Sequence, residues 1–287
     1  MNTDVLAAIR AGMAGFSKGQ RRIAAYILDS YDKAAFLTAS RLGQATQVSE
    51  STVVRFAAEL GYDGYPEMQR ALQEMVRTRL TSVQRVEAAN TQMADHDAAS
   101  MVFQSDIQTL QRTSELLDRE ALMAAAGAII NAEKVYIAGA RSSSTLASFL
   151  SFYLRIMLDS VRLIQSTASS EMIEQMMHVT PGDVVIGISL PRYSRRTVKV
   201  MQFAKDHGAT LISVTDNLQA PIARISDYVL QAKSEMVSFV DSLVAPLSVI
   251  NALVVIISRL LGTQFSQSLA NLESIWAEYD IYERFDD

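Results

Sequence analysis

The stretch Ser49-Glu-Ser-Thr-Val-Val-Arg-Phe-Ala-Ala-Glu-Leu-Gly-Tyr62 constrains this chain more than any other part of it. Ser49 is placed to cap a first helical turn through its side-chain oxygen, Val53, Phe56 and Leu60 recur on one face, and Gly61 supplies the stop. The other face carries Glu50, Ser51, Thr52 and Arg55 at its N-terminal end. Short hydroxyls and one long cation at that end reach phosphates and base edges in a major groove. Upstream, Thr38 to Gln47 reads as the preceding helix, and Val48-Ser49 leaves only a short turn, which is helix-turn-helix spacing. Two more amphipathic segments, 4–14 and 17–30, complete a small all-α core through Leu6, Ile9, Phe16, Ile23, Tyr26 and Ile27. Ser17 is the expected cap of the second, with Gln20 as its capping-box partner. A helical dimerisation or docking domain fits the same spacing, so the reading of DNA rests on the exposed face.

Charge distribution supports that face. The chain of 287 residues is acidic, at a formal net charge of -5. Residues 1–90, however, carry 11 Lys and Arg against 9 Asp and Glu, whereas the remainder carries 15 against 22. Because phosphate neutralisation supplies most non-specific affinity, so mild an excess implies weak, salt-sensitive binding by one copy and hence a dimer on a two-part operator. Lys18, Arg21, Arg22 and Arg41 are the candidate phosphate contacts; Ser49, Ser51, Thr52 and Arg55 are the candidate readers.

Between 66 and 115 the composition is helical. Pro66 fits a first turn, and Leu72, Met75, Val76, Leu80 and Val83 continue an apolar stripe. Residues 88–97 are the expected linker, with a second helix from Ala98. From residue 120 short apolar runs alternate with amphipathic helices, the pattern of a parallel sheet covered on both faces. Expected strands are Lys134 to Ala138, Val161 to Gln165, Asp183 to Ser189, Thr210 to Thr215 and Tyr228 to Gln231. Ligands of such sheets bind beyond the carboxyl ends of the strands.

Two loops there carry anion chemistry. The first, from Gly139, contains Arg141, Ser142, Ser143 and Ser144; the second contains Ser189, Arg192, Ser194, Arg195, Arg196 and Thr197. Guanidinium groups form paired, charge-assisted hydrogen bonds with phosphate and carboxylate, which makes an anion the expected guest. Ser-rich loops also serve simply as helix caps, and arginines also pair with acidic side chains.

The run Val48 to Phe56, followed by Leu60-Gly-Tyr-Asp-Gly-Tyr65, resembles the N-terminal helix-turn-helix of the RpiR family of bacterial transcription regulators. In that family the domain precedes a SIS (sugar isomerase) domain that senses phosphorylated sugars or related metabolites, and residues 124–262 resemble that fold. The resemblance implies an α/β class with an N-terminal all-α helix-turn-helix domain (1–77), a helical connector (78–123), a five-stranded parallel SIS domain (124–262) and a C-terminal helix (263–287). The family pattern Gly-x-Gly-x-Ser of the first loop places Ser143 at the serine but Arg141 at the second glycine. Ser-x-Ser-Gly-x-Thr of the second loop places Ser189, Ser194 and Thr197, with Arg195 at the glycine and three residues inserted. The exchanged glycines put the ordinary sugar-phosphate ligand in doubt.

Related SIS domains are isomerases, so an enzyme with an N-terminal helical oligomerisation domain is the alternative. Its candidates are Glu171, which also suits a ligand hydroxyl, His178 and His207. Isomerisation needs a base at the proton-losing carbon and an acid for ring opening, and the expectation is a non-enzyme. The histidines, at 96, 178 and 207, have no metal-ligand spacing, and no metal or cofactor is expected. No cysteine is present, which is compatible with the expected cytoplasmic setting. Polar Asn2, Thr3 and Asp4 are unlike a signal peptide. The apolar stretch Leu243 to Ile257, about 15 residues against the roughly 20 a bilayer needs, is expected to be a buried helix, not a span. Apolar stripes on 143–157 and 243–261, and the amphipathic segment 270–282, suit either the core or a homodimer or homotetramer contact.

Overall fold

The computed structural model describes residues 5–79, 81, 83–86 and 97–282. Leu80, His96, the N-terminal Asn2, Thr3 and Asp4, and all of the expected linker except Asp97 lie outside them. The described chain forms two compact units, the first taking in residues 1–103 and 236–241, the second 104–235 and 242–287.

The first unit is helical: α1 (Val5–Gly12), α2 (Lys18–Asp29), α3 (Tyr31–Ala34), α4 (Ala39–Thr46), α5 (Glu50–Glu59) and α6 (Tyr65–Arg79). Local chemistry sets these bounds. Ser17 and Gln20 form a reciprocal capping box at α2, and Thr38 and Ser49 cap α4 and α5 by accepting from Arg41 N and Thr52 N. Gly61, at φ +87°, ends the last of these. Leu6, Ile9, Phe16, Ile23, Ile27, Leu42, Val53 and Phe56 are buried in one cluster, joined by Met68, Leu72 and Val76 of α6. Val83, expected on the same stripe, is exposed. The single turn α3 escaped the periodicity because four residues do not establish a period.

Tyr65 is buried, its hydroxyl donating to Leu37 O at 2.6 Å, and burial pushes its phenol above the ordinary value of 10.0. A raised folded value means the contribution is complete below the unfolded value and is lost as pH rises beyond it. The first unit should therefore weaken above about pH 10, and Tyr65→Phe should remove that part of the slope in urea melts taken between pH 8 and 11.

The second unit begins at Gln104, inside α7 (Ala98–Leu116), and continues with α8 (Arg119–Ile130), β1 (Val135–Gly139), α9 (Ser143–Met157), β2 (Val161–Ile164), α10 (Ser169–Glu174), β3 (Val184–Ile188), α11 (Arg195–Asp206), β4 (Thr210–Thr215), β5 (Tyr228–Gln231), α12 (Val244–Leu261) and α13 (Thr263–Glu278). The five strands are all parallel, in the order β2-β1-β3-β4-β5. Each expected strand is present. The first starts and ends one residue later than expected, the second ends one earlier and the third is one shorter at each end.

Alternation along the strands feeds two layers. Val135 and Ile137 of β1 pack with α8, α9 and α12, while Tyr136 and Ala138 pack with α10 and α11. Leu146, Leu150 and Leu154 of α9 are buried in the first layer, whereas Tyr153 of the expected stripe is exposed. The apolar helix α12 runs to 18 residues, long and apolar enough by length and composition to cross a membrane. It buries Val249, Ile250, Leu253 and Ile257 in the sheet's core, while Val255 and Leu260 on its other face are exposed.

Candidate functional site

In the first unit the α4–α5 turn is built by close backbone approach. Gln47, at φ +55°, closes α4 in the left-handed region, and Val48 N donates to Gly43 O at 2.9 Å. A Cβ on Gly43 would lie 2.9 Å from Val48 O, so glycine is what lets the turn fold back against α4. Ser49, Glu50, Ser51 and Arg55 are exposed on α5, and Thr52 is half-buried. Ser49 Oγ lies 2.9 Å from Ser51 Oγ and 2.8 Å from Thr52 Oγ1, a hydroxyl cluster at a helix N-terminus. Such a terminus offers unused N–H groups and a positive dipole end to a phosphate.

The start of α2 lies beside that cluster: a Cβ on Gly19 would sit 3.4 Å from Thr52 Cγ2. Lys18, Arg21 and Arg22 are exposed there, as is Arg41 on α4. Arg22 Nη1 donates to Gln47 O at 3.1 Å, so this arginine also fastens α2 to the turn. That contact joins residues 25 apart and has no local sequence signal. Arg55 Nε bonds Ser51 O at 3.4 Å, which leaves most of its fork for other acceptors.

In the second unit the order of strands reverses direction between β1 and β3, which is where doubly wound sheets open their ligand crevice. The two arginine- and serine-bearing loops leave the carboxyl ends of those two strands. Gly139, the last residue of β1, is packed so closely that a Cβ would lie 2.5 Å from Ser143 O. Arg141 follows at φ +58°, a left-handed backbone where the resembled family has glycine. Arg192, in the inserted stretch of the other loop, is at φ +64°. Non-glycine residues held in that region cost about 1–3 kcal/mol each and cluster at ligand sites.

The serines divide in role. Ser144 Oγ donates to Arg141 O at 2.6 Å, spending its proton on the loop. Ser142 precedes α9 without a side-chain cap bond, and Ser143 is buried in the first turn. Neither the Ser142 nor the Ser143 N–H has a partner within the described residues. Across the crevice Ser189 Oγ accepts from Ser194 N at 3.2 Å and keeps its own proton, while Thr215 Oγ1 fixes Ser189 O at 2.7 Å. Ser194 precedes α11 with no side-chain cap bond, and the fully buried Thr197 hydroxyl has no partner. Two uncapped helix N-termini, α9 and α11, thus flank the switch point with Arg141, Arg192 and Arg195 exposed around them.

Other groups hold this edge together. Arg196 Nη1 donates to Ser166 O and Thr167 O at 3.2 and 2.9 Å, tying the loop after β2 to α11. Glu171 accepts from the Ser166 hydroxyl on the same loop. Tyr193 Oη donates to Asp216 Oδ1 at 2.9 Å, across the end of β4. Neither the tyrosine nor the aspartate stood out in the sequence as a site residue, since their meeting depends on strand order. His178 and His207 both connect a helix to the start of the next strand, and so lie at the amino edge of the sheet.

Comparison with known proteins agrees with both halves of this description. A model for the helix-turn-helix domain of the rpiR family matches residues 3–79, and a SIS domain model matches residues 128–256. The chain belongs to the RpiR family. An HTH-type transcriptional regulator of Caldanaerobacter subterraneus subsp. tengcongensis is 28% identical over 268 residues, 90% of this chain and 91% of that protein. Among solved structures, the sugar isomerase domain of an RpiR transcription factor from Sphaerobacter thermophilus is 29% identical, with a TM-score of 0.59, covering 62% of this chain and 98% of that one. The Vibrio vulnificus NanR protein, complexed with ManNAc-6P, shares the fold at 22% identity and a TM-score of 0.59, covering 96% of this chain and 98% of that one. This RpiR member is therefore a helix-turn-helix transcription regulator with a SIS domain.

Proposed function

We propose that the SIS domain binds an anionic metabolite, a phosphorylated sugar or a related acid, at the crevice between the β1 and β3 loops, and that this binding alters operator affinity. The observation that carries the reading is the pair of uncapped helix N-termini at the switch point, ringed by Arg141, Arg192 and Arg195. The phosphosugar held by the Vibrio vulnificus relative supports the class of ligand. The arginines at glycine positions favour a guest with more negative charge than a simple sugar monophosphate. Ser142, Ser143, Ser189, Ser194 and Thr197 supply hydroxyl or backbone donors; Glu171 and Ser144 act mainly by shaping the loops. Binding, not turnover, is the proposed activity, because His178 and His207 lie at the opposite edge of the sheet. A homodimer or homotetramer in the cytoplasm, gripping double-stranded operator DNA through α5, completes the proposal.

An effector shifts operator affinity only by its differential affinity for the two arrangements of the protein. Arg55→Ala should weaken operator binding roughly tenfold to a hundredfold while leaving the effector's affinity unchanged. Ser143→Ala should do the reverse. Gel shifts on the protein's own upstream region, paired with a thermal-shift screen of phosphorylated sugars and organic acids, test both. Loss of both functions in each folded variant would defeat the two-site reading, as would sugar-phosphate turnover without DNA binding at low salt.

A further inference from the structure

We propose a second small-molecule site on the outer side of α9, in the groove it forms with β2 and α13, for a small monocarboxylate with an apolar body. The groove has a volume of about 420 Å³ and is lined by Ser148, Ser151, Phe152, Arg155, Leu163 and Leu272 among others. That is within the usual range for ligand pockets of roughly 300–1,000 Å³. Its lining is apolar apart from Ser268 of α13 and a short polar line along the α9 face. Ser148, Ser151 and Arg155 lie three and four residues apart on α9, so their side chains follow one another along that face.

Two features of that line call for an acid. Ser151 is 2% exposed, and its hydroxyl has no hydrogen-bond partner. Helical serines elsewhere in this protein turn back on themselves: Ser248, Ser266 and Ser274 each donate to the carbonyl four residues earlier. Ser151 does not, and a buried polar group left unmatched is costly enough that most are satisfied. The second feature is Arg155, which is exposed and forms no ion pair among the described residues, Asp159 just beyond the helix included. No carboxylate lines the groove.

A carboxylate on Arg155 and Ser151 would satisfy both, with its hydrocarbon against Phe152, Leu163 and Leu272. A polyhydroxylated phosphosugar would leave its hydroxyls facing those apolar walls. The site is separate from the crevice at the sheet edge, since Ser151 lies eight residues along α9 from Ser143, or about 12 Å. It is nonetheless on the same rigid element, so an occupant would bear on the helix whose first turn faces the crevice.

Calorimetric titration of the full chain with hexanoate, and with hexanol as the uncharged match, tests the assignment. Saturable hexanoate binding is expected, with hexanol at least tenfold weaker. Arg155→Gln should cost about tenfold or more, and Arg224→Gln, an equal change of charge elsewhere, should cost nothing. Ser151→Ala should weaken hexanoate yet leave the ligand-free melting temperature unchanged or raised, a combination that a merely structural serine would not give. Leu163→Trp, which fills the groove, should abolish binding; should it fail to fold, Arg155→Gln on the exposed face decides alone. The proposal fails if hexanoate gives no saturable heat, if Arg155→Gln binds like the parent, or if hexanol binds equally well. It also fails if Arg155→Gln lowers the sedimentation mass of the ligand-free protein, because a second copy then covers the groove.

Discussion

Asp241→Ala should destabilise the first unit by about 3 kcal/mol. Arg85 Nη1 meets Asp241 Oδ1 at 2.9 Å, with the arginine side chain 2% exposed and the aspartate 17%. Removing the carboxylate takes a charged acceptor away from a buried guanidinium, and losing one half of a buried pair costs more than the attraction forgone. The partial exposure of Asp241 places the expectation at the lower end of the range for buried pairs. Asp241→Asn, which retains an acceptor oxygen, should lose less. Urea melts, combined with hydrogen exchange at α2 and α5, provide the measurement. A midpoint for Asp241→Ala within error of the parent would show that the pair contributes no net stability.

Gly139→Ala is expected to damage both stability and effector binding. The added Cβ would meet Ser143 O at 2.5 Å and the Ser143 carbonyl carbon at 3.0 Å, and both atoms are backbone. No side chain can rotate to relieve the clash, so β1 and the first turn of α9 must separate. Overpacking of this kind costs about 1–3 kcal/mol and occasionally more. The same separation moves the Ser142 and Ser143 N–H groups, so a thermal shift produced by an effector in the parent should shrink or vanish. Melting with and without effector reads both effects in one experiment. Unchanged ligand response in the folded variant would mean that the first loop does not contribute to the crevice.

What could be read from the sequence was what is decided locally. Ser17 and Ser49 declare their caps within three residues, and both caps are present, whereas Thr38, read as the first residue of its helix, proves to be the cap of it. Thr210–Thr215 and Tyr228–Gln231 declare themselves as short apolar or β-branched runs. The two arginine- and serine-bearing loops were visible as composition, but only the order β2-β1-β3-β4-β5 makes them neighbours across a switch point. What escaped was the long-range pairing. Arg22 to Gln47, Tyr193 to Asp216 and Arg85 to Asp241 join residues 25, 23 and 156 apart. Nothing in the residue types at either end announces the other. Ser144 shows a subtler limit: its hydroxyl marks it as a ligand donor by type, yet its proton is already given to Arg141 O.

The first unit takes its last piece from residues 236–241. A ribosome therefore releases α1 to α6 of the operator-reading head long before it releases the aspartate that pairs with Arg85. Until then the nascent head lacks that pair, and its completion waits on synthesis of most of the second unit. Fragments cut after residue 103 lack residues 236–241 altogether, so a head expressed by itself should melt below the same unit in the full chain.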